Sequence, residues 1–460
     1  MIHLIVELSR YALIILFAVY TYQCFAVLQS KDAERAQRMF RRQSRMMYLI
    51  HFTAFLVICF VTENANYLIF YMLQLLLLIM VQNCYRIIYP KASRLLVNNM
   101  CMLLTIGFII LTRLNGERAF RQFLIAAVSC AGSLLIPYLI QRMGFFRRLT
   151  WIYAAVGIIL LAIVCIAGPT SYGAKISLSV FGFAIQPSEF VKIIFVFFVA
   201  AMYYRSTDLK QVIITTAVAA VHVLILVASR DLGGALIFFV AYMAMVYVAT
   251  KKLLYFVGGI AAGSVAAVVA YKLFSHVRTR VVAWQKPLAV IDDEGYQICQ
   301  SLFAIGTGGF FGMGLYQGMP ERIPKVEEDF IISAIAEELG GLFAICVVLV
   351  CVSCFLMFLN IAMQLKDGFY KLVALGLGTV YGIQVFLTLG GAVKFIPSTG
   401  VTLPLISYGG SSMLSSLVIF AIIQGLYILR EDEGAINHER NRKTENKKTD
   451  GAKVKVQDLN

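Results

Sequence analysis

Eight of the nine carboxylates in one polar, glycine-rich stretch, residues 278–340, of a chain that is otherwise apolar are candidates for chemistry: Asp292, Asp293, Glu294, Glu327, Glu328, Asp329, Glu337 and Glu338. A carboxylate kept ionised yet partly removed from water can take a proton from a hydroxyl or hold a metal ion. Asp329 is the best placed of the eight. In PKVEEDFIISAIAEELG it stands where polar chain enters the next apolar run, at the positive end of a helix dipole. The same position also suits a plain N-terminal helix charge. Glu337 and Glu338 lie deeper in that run, at membrane depth, and at least one is expected to face the protein interior. Gly306, Gly308, Gly309, Gly312 and Gly314 let backbone approach a neighbour or ligand closely. No Lys-Ser/Thr follows them, so they do not form a nucleotide-binding loop.

Two further constellations carry polar groups. In Gln186-Pro187-Ser188-Glu189-Phe190-Val191-Lys192, Pro and Ser suit a helix start, and Glu189 and Lys192 share one helix face. An acid and a base in a membrane span should face a cavity or each other, so a substrate-facing pair and a structural ion pair are both open readings. From Lys394 to Ser412, KFIPSTGVTLPLISYGGSS, Pro397, Gly400, Pro404, Gly409 and Gly410 break regular helix. Non-helical backbone at membrane depth requires protein or a water-filled cavity around it, which predicts a re-entrant or cavity-lining segment.

The elements that must position these groups are membrane helices. The 460 residues are 60% hydrophobic and 14% charged, with a mean hydropathy of +0.80. Apolar runs long enough to cross a ~30 Å hydrocarbon core occur at 4–29, 47–63, 66–86, 95–113, 122–141, 149–168, 188–204, 211–229, 232–250, 254–274, 331–360, 370–392 and 407–429. These thirteen runs predict an all-α polytopic membrane protein with its termini on opposite sides. The basic 31–45 segment, read as a loop, is placed inside by its Lys and Arg, so the N-terminus lies outside and the C-terminus in the cytoplasm. The 169–187, 275–330 and 391–406 segments then lie outside, and Arg113, Arg118 and Arg121 sit on an outer loop against the charge bias. Residues 431–460, poor in apolar residues and mixed in charge, read as a disordered cytoplasmic tail.

Net charge +15 follows the short loops, so it marks orientation and contact with anionic lipid rather than a nucleic-acid groove. Of the ten cysteines only Cys351 and Cys354 stand at CxxC spacing, and they lie within an apolar run with no second pair and no nearby histidine, which argues against a zinc site or a disulfide framework.

QPSExxK at 186–192, YQxxQSxxAIGTGGxxGxG from Tyr296, DFIxxxIAEELG from Asp329 and IPxTGVTLPxISYGGSS from Ile396, in this order, resemble the SEDS family (FtsW/RodA/SpoVE) over about residues 95–430. The resemblance implies a ten-helix core preceded by about three extra transmembrane helices in residues 1–94. It also implies a peptidoglycan glycosyltransferase that polymerises lipid II at the outer face of the bacterial plasma membrane, beside a class B penicillin-binding protein and other divisome or elongasome proteins. Carried over by motif, Asp329 is the essential aspartate and candidate general base, with a divalent cation (Mg or Mn) as a second role for it. No nucleotide or organic cofactor is expected. Glu189 and Lys192 line the cavity, and Arg278, Arg280, Gln300, Ser301, Lys394 and Ser407 are the further substrate-binding candidates. GVTLPLISYGGSS looks closer to FtsW and SpoVE than to RodA, which points to cell division. The sequence departs from the family at Lys175-Ile176-Ser177, at Ser229-Arg230 before Asp231, and at Leu389–Lys394. A lipid II flippase and a non-catalytic scaffold for the penicillin-binding protein are the alternative readings.

Overall fold

The computed structural model describes residues 2–30, 32–142, 144–169, 175–180 and 183–457, with side chains described as far as Gly434. Seventeen α-helices run in chain order among them: α1 Ile2–Gln29, α2 Ala33–Thr62, α3 Asn66–Ile88, α4 Arg94–Leu114, α5 Gly116–Ser133, α6 Ile136–Arg142, α7 Thr150–Ala167, α8 Ser188–Arg205, α9 Leu209–Ala228, α10 Leu232–Thr250, α11 Leu253–Leu273, α12 Ser275–Gln285, α13 Tyr296–Gly308, α14 Ile331–Leu339, α15 Gly341–Gln364, α16 Gly368–Ala392 and α17 Gly410–Gln457. A two-stranded antiparallel hairpin, β1 Leu178–Val180 and β2 Phe183–Ile185, precedes α8.

Among the described residues, twelve helices are long and apolar enough to cross a membrane, α5 and α6 counting as one. The thirteenth expected run corresponds to α8, which carries three charged residues, Glu189, Lys192 and Arg205, within its 18 residues.

Four expectations are corrected. The basic 31–45 segment is not a loop: from Ala33 it is helical and continuous with α2, started by Asp32, whose side chain accepts the Glu34 N–H. The run at 331–360 is not one helix. It breaks at Gly340 (φ +92°) into α14 and α15, and the glycine-rich loop fills the break. The N–H groups of Met313 and Gly314 donate to the terminal carbonyls of α14, Glu337 and Glu338, each at 2.8 Å. The first N–H groups of α15, Gly341 and Leu342, donate to the carbonyls of Gly309 and Phe310 at 2.8 and 3.1 Å. One loop thus satisfies the free backbone groups of two helix ends. The outer segment 275–330, expected as one large extracellular loop, carries two helices, α12 and α13. α13 buries Ile298, Cys299, Ser301 and Ala304 on the face packed against α14. Finally, α17 continues through the expected disordered tail to Gln457, over residues rich in the helix formers Glu, Lys and Arg.

The first three helices are built into the core. α4 is enclosed by α2, α3, α5 and α15. Asn99 of α4 accepts from Tyr20 of α1 at 3.0 Å and donates to Ser353 of α15 at 3.2 Å. α1 also reaches the glycine-rich loop, where Arg10 donates to the Gly312 carbonyl at 2.8 Å.

Candidate active site

The three polar constellations meet at one end of the bundle. Ser411 Oγ accepts the Gln186 N–H at 2.9 Å, joining the first to the third. The Tyr408 N–H donates to the Glu327 carbonyl at 2.7 Å, joining the third to the segment that carries Asp329. From α12, Arg280 donates to the Ser398 carbonyl at 3.2 Å and Trp284 to the Lys394 carbonyl at 3.1 Å.

Between these segments lies a cleft of about 950 Å³, continuous with open solvent. Its charged lining alternates in sign: Glu189, Asp231, Glu328 and Asp329 against Lys192, Arg230, Arg280 and Lys325. Residues 399–402 form one wall. Asp329 precedes α14 by two residues, so it stands off the helix end rather than in its first turn. Although the residue is only half-buried, its Oδ1 is shielded from solvent and has no hydrogen-bond partner. Burial pushes the carboxyl up to about 6; Glu328 adds to the rise, while Lys325 and Arg280 oppose it. Thr399 Oγ1, in the opposing wall, is a second buried oxygen without a partner. Buried polar groups are normally satisfied, so two orphans facing one cleft mark a place where a ligand supplies the missing bonds.

Glu189 and Lys192 form an ion pair at 2.6 Å. The ammonium also donates to Gln384 at 2.7 Å, and the carboxylate accepts from Ser415 at 2.6 Å. An ammonium has three donors, so one remains to point elsewhere. The pair is a structural tie between α8, α16 and α17, and both of its residues line the cleft. Burial lowers the Arg280 guanidinium, with Asp329 and Asp231 opposing the shift. A desolvated arginine in this position is suited to bidentate contact with phosphate oxygens.

The remaining expected substrate-binding residues do not line this cleft. Arg278 is exposed on α12. Ser301 is fully buried, exchanging a hydrogen bond with Ser333 and donating to the Ala392 carbonyl. Ser407 Oγ accepts the Leu403 N–H within the third segment. Gln300 and Lys394 lie outside the lining. Sequence reasoning missed Asp231, Lys325 and Glu328 as lining residues. Asp231 caps α10, accepting from Gly234 N–H at 2.8 Å, and accepts from Ser188 at 3.2 Å. Its only signal was a lone acid at the mouth of an apolar run.

The arrangement defines a class first: a polytopic helical membrane protein with a mixed-charge cleft at one bundle end, built around a carboxylate with one buried, unpartnered oxygen. The FtsW/RodA/SpoVE family, described as "Cell cycle protein", matches residues 93–431, and the chain belongs to it. Among its relatives, the peptidoglycan glycosyltransferase RodA of Mycobacterium tuberculosis is 34% identical over 368 residues, 73% of this chain and 77% of the relative. The probable peptidoglycan glycosyltransferase FtsW of Geobacter sp. is 31% identical over 280 residues, 58% of this chain and 74% of the relative. Overall identity therefore does not share the leaning of the short final motif toward FtsW. Of solved structures, a chain from a peptidoglycan synthase complex that coordinates polymerization and crosslinking matches with a TM-score of 0.63 at 22% identity, covering 74% of this chain and 98% of that one. The Thermus thermophilus rod shape determining protein RodA matches with a TM-score of 0.54 at 22% identity, covering 73% and 96%. These likenesses show the shared fold.

Proposed function

We propose that the cleft polymerises lipid II, as a peptidoglycan glycosyltransferase, with Asp329 as general base. The observation that carries the reading is the buried, unpartnered Asp329 Oδ1 at the cleft wall. The 4-hydroxyl of an N-acetylglucosamine acceptor attacks C1 of a lipid-linked N-acetylmuramyl donor. The new C1–O bond forms as the bond from C1 to the diphosphate oxygen breaks, and the hydroxyl proton passes to Asp329. An alkyl hydroxyl is a poor nucleophile, so a carboxylate raised toward neutrality is a better-matched acceptor than an ordinary one. Inversion at C1 then needs no covalent enzyme intermediate. The departing undecaprenyl diphosphate is met by Arg280, with Lys192 and Lys325 on the same lining.

Among the described residues, no group of three His, Cys, Asp or Glu side chains forms a metal cage. The donor set instead fits a Mg²⁺ or Mn²⁺ ion held by Asp329 together with substrate phosphates, an arrangement typical of Mg²⁺. Such an ion would neutralise charge on the departing diphosphate. The reading places the cleft at the outer membrane face, the N-terminus outside and the C-terminus in the cytoplasm, supported by the Lys/Arg distribution. A class B penicillin-binding protein, which crosslinks the new strands, is the proposed partner, supported by the fold shared with a synthase-complex chain. The final motif supports a role in division. Depletion tests this, with filaments expected for division and rounded cells for elongation.

The decisive measurement is lipid II polymerisation by the purified protein with its partner. Asp329→Ala and Asp329→Asn are expected to lose at least 100-fold in rate. Full polymerisation by either variant removes Asp329 as base. Lipid II translocation in liposomes that survives in Asp329→Ala would favour the flippase, and complementation of a depleted strain by that variant would favour the scaffold.

A further inference from the structure

A second cavity lies at the bundle end opposite the cleft. The two ends are set by α4: its last turn carries Arg113, which pairs with residues of the acidic outer segment, and its first residue, Arg94, is about 30 Å away by helix rise. Around Arg94 the ends of α2, α3 and α4 enclose about 630 Å³ of space open on one side. Each helix contributes one arginine to the lining: Arg41 from α2, Arg86 from α3 and Arg94 from α4. Among the described residues none of the three has a hydrogen bond or ion pair, and the lining holds no Asp or Glu. By contrast, some other basic residues are paired. Lys91 pairs with Asp432 nearby, and Arg147 pairs with Asp367.

The floor of the cavity is preformed. Asn98, buried in α4, accepts from Ser44 at 3.3 Å and from Gln82 at 3.4 Å, and donates to the Phe40 carbonyl at 3.2 Å and to Gln43 at 3.1 Å. With these groups occupied, the free donors left at the rim are the guanidinium groups. On α3, Asn83 lines the cavity, and its neighbours along the same helix face are Leu76, Met80 and Ile87, at i−7, i−3 and i+4. All three are more than half exposed (54%, 54% and 76%). The cavity therefore opens onto an apolar stripe suited to hydrocarbon.

We propose that this is a binding site for the phosphate headgroup of an anionic membrane lipid, held by Arg41, Arg86 and Arg94, with its acyl chains along the exposed α3 stripe. Guanidinium groups bind phosphate oxygens in pairs of parallel hydrogen bonds, and basic pockets between helix ends are the usual seats of anionic headgroups. The apolar stripe favours a lipid over free phosphate, which would need the arginines alone. The site lies on the helices that precede the family-matching region and on the first helix of that region.

The test uses the full chain in detergent, titrated with phosphatidylglycerol, phosphatidylcholine or inorganic phosphate, with thermal stability as the readout. Phosphatidylglycerol is expected to raise the melting temperature at concentrations where the other two do not. Each arginine is expected to contribute roughly fivefold in affinity. R41A/R86A/R94A should therefore weaken the response about 100-fold, while the charge-matched R148A/R205A/K210A should not. Equal responses in the two triple variants overturn the site, and protection by inorganic phosphate matching that by lipid overturns the lipid as its occupant. Should the triple variant fail to fold, a photoactivatable phosphatidylglycerol on the unmodified protein decides: adducts mapping to residues 76–94 support the site, and adducts found only elsewhere overturn it.

Discussion

Arg113 near the end of α4 and Glu338 in α14, 225 residues apart, form a buried ion pair in which Nε and Nη2 reach the same carboxylate oxygen at 2.9 and 2.8 Å. Arg113 also binds Glu321, and Arg118 binds Glu327 at 2.7 Å. Two of the arginines that run against the charge bias are thus partners of the acidic outer segment. Burial raises the Glu338 carboxyl and the Arg113 guanidinium opposes the rise. Replacing Arg113 by Met leaves a buried carboxylate unpaired, at a cost of about 3–5 kcal/mol. Thermal unfolding should show R113M as strongly destabilised and R113M/E338Q as substantially recovered. If the double variant is no better than R113M, the two residues are not coupled in this way.

Polymerisation should titrate with Asp329. A base must be deprotonated, and burial raises this carboxyl to about 6, so the rate should rise tenfold per pH unit below about 6 and level off above it. A stability effect of opposite sense goes with it. The native state holds this proton more tightly than the unfolded chain does, so the carboxylate's penalty is absent below the ordinary Asp range, near 4. It grows as pH rises and is complete above about 6. Asp329→Asn, which mimics the protonated form, is expected to be inactive yet at least as heat-stable as the parent at pH 7.5. A profile flat from pH 5 to 8 would exclude the group as the titrating base.

The Glu189–Lys192 pair allows its structural and chemical parts to be separated. K192M alone strands Glu189 in a buried site, and both folding and polymerisation should suffer. In E189Q/K192M no charge is stranded, and Ser415 can still bond the amide. If Lys192 serves only packing, the double variant recovers both stability and rate. If its remaining donor meets substrate, stability returns while the rate stays at least tenfold low.

Gly312 sits at φ +75°, and a Cβ there would come within 2.4 Å of the Glu338 carbonyl and 2.5 Å of the Gly340 nitrogen. Gly312→Ala should lose roughly 1–3 kcal/mol from the backbone alone, with the clash in addition. Gly306, where an added Cβ meets nothing within 4 Å, is the matched control. Melting temperatures should fall for the first and hold for the second. Equal behaviour would mean the loop is not held against α14.

The spans were legible because uninterrupted apolar runs of membrane length admit few other readings, and Asp329 stood out by its place at the edge of one. The break at Gly340 was hidden, since AIAEELGGLFAICVV keeps enough apolar residues on both sides of its two glycines to read as one helix. What opens it is a hydrogen-bonding partner some 30 residues upstream, information that local hydropathy does not hold. Ser301 and Ser407 were noticed as members of motifs, but a hydroxyl's target is set by tertiary contact, and theirs are Ser333 and neighbouring backbone rather than the cleft. Arg113 and Arg118 were visible as anomalies of charge, and their partners only through the fold.

Residue 93 is where likeness to relatives begins, but it is no seam in the molecule. The helix that starts one residue later has no lipid-facing side left: every residue of its most apolar stretch is covered, much of it by α2 and α3. α4 is thus a keel rather than an outer stave, and its far tip carries the arginine that anchors the acidic segment. A displacement of α1–α3 relative to the rest would be transmitted along that keel to the mouth of the cleft.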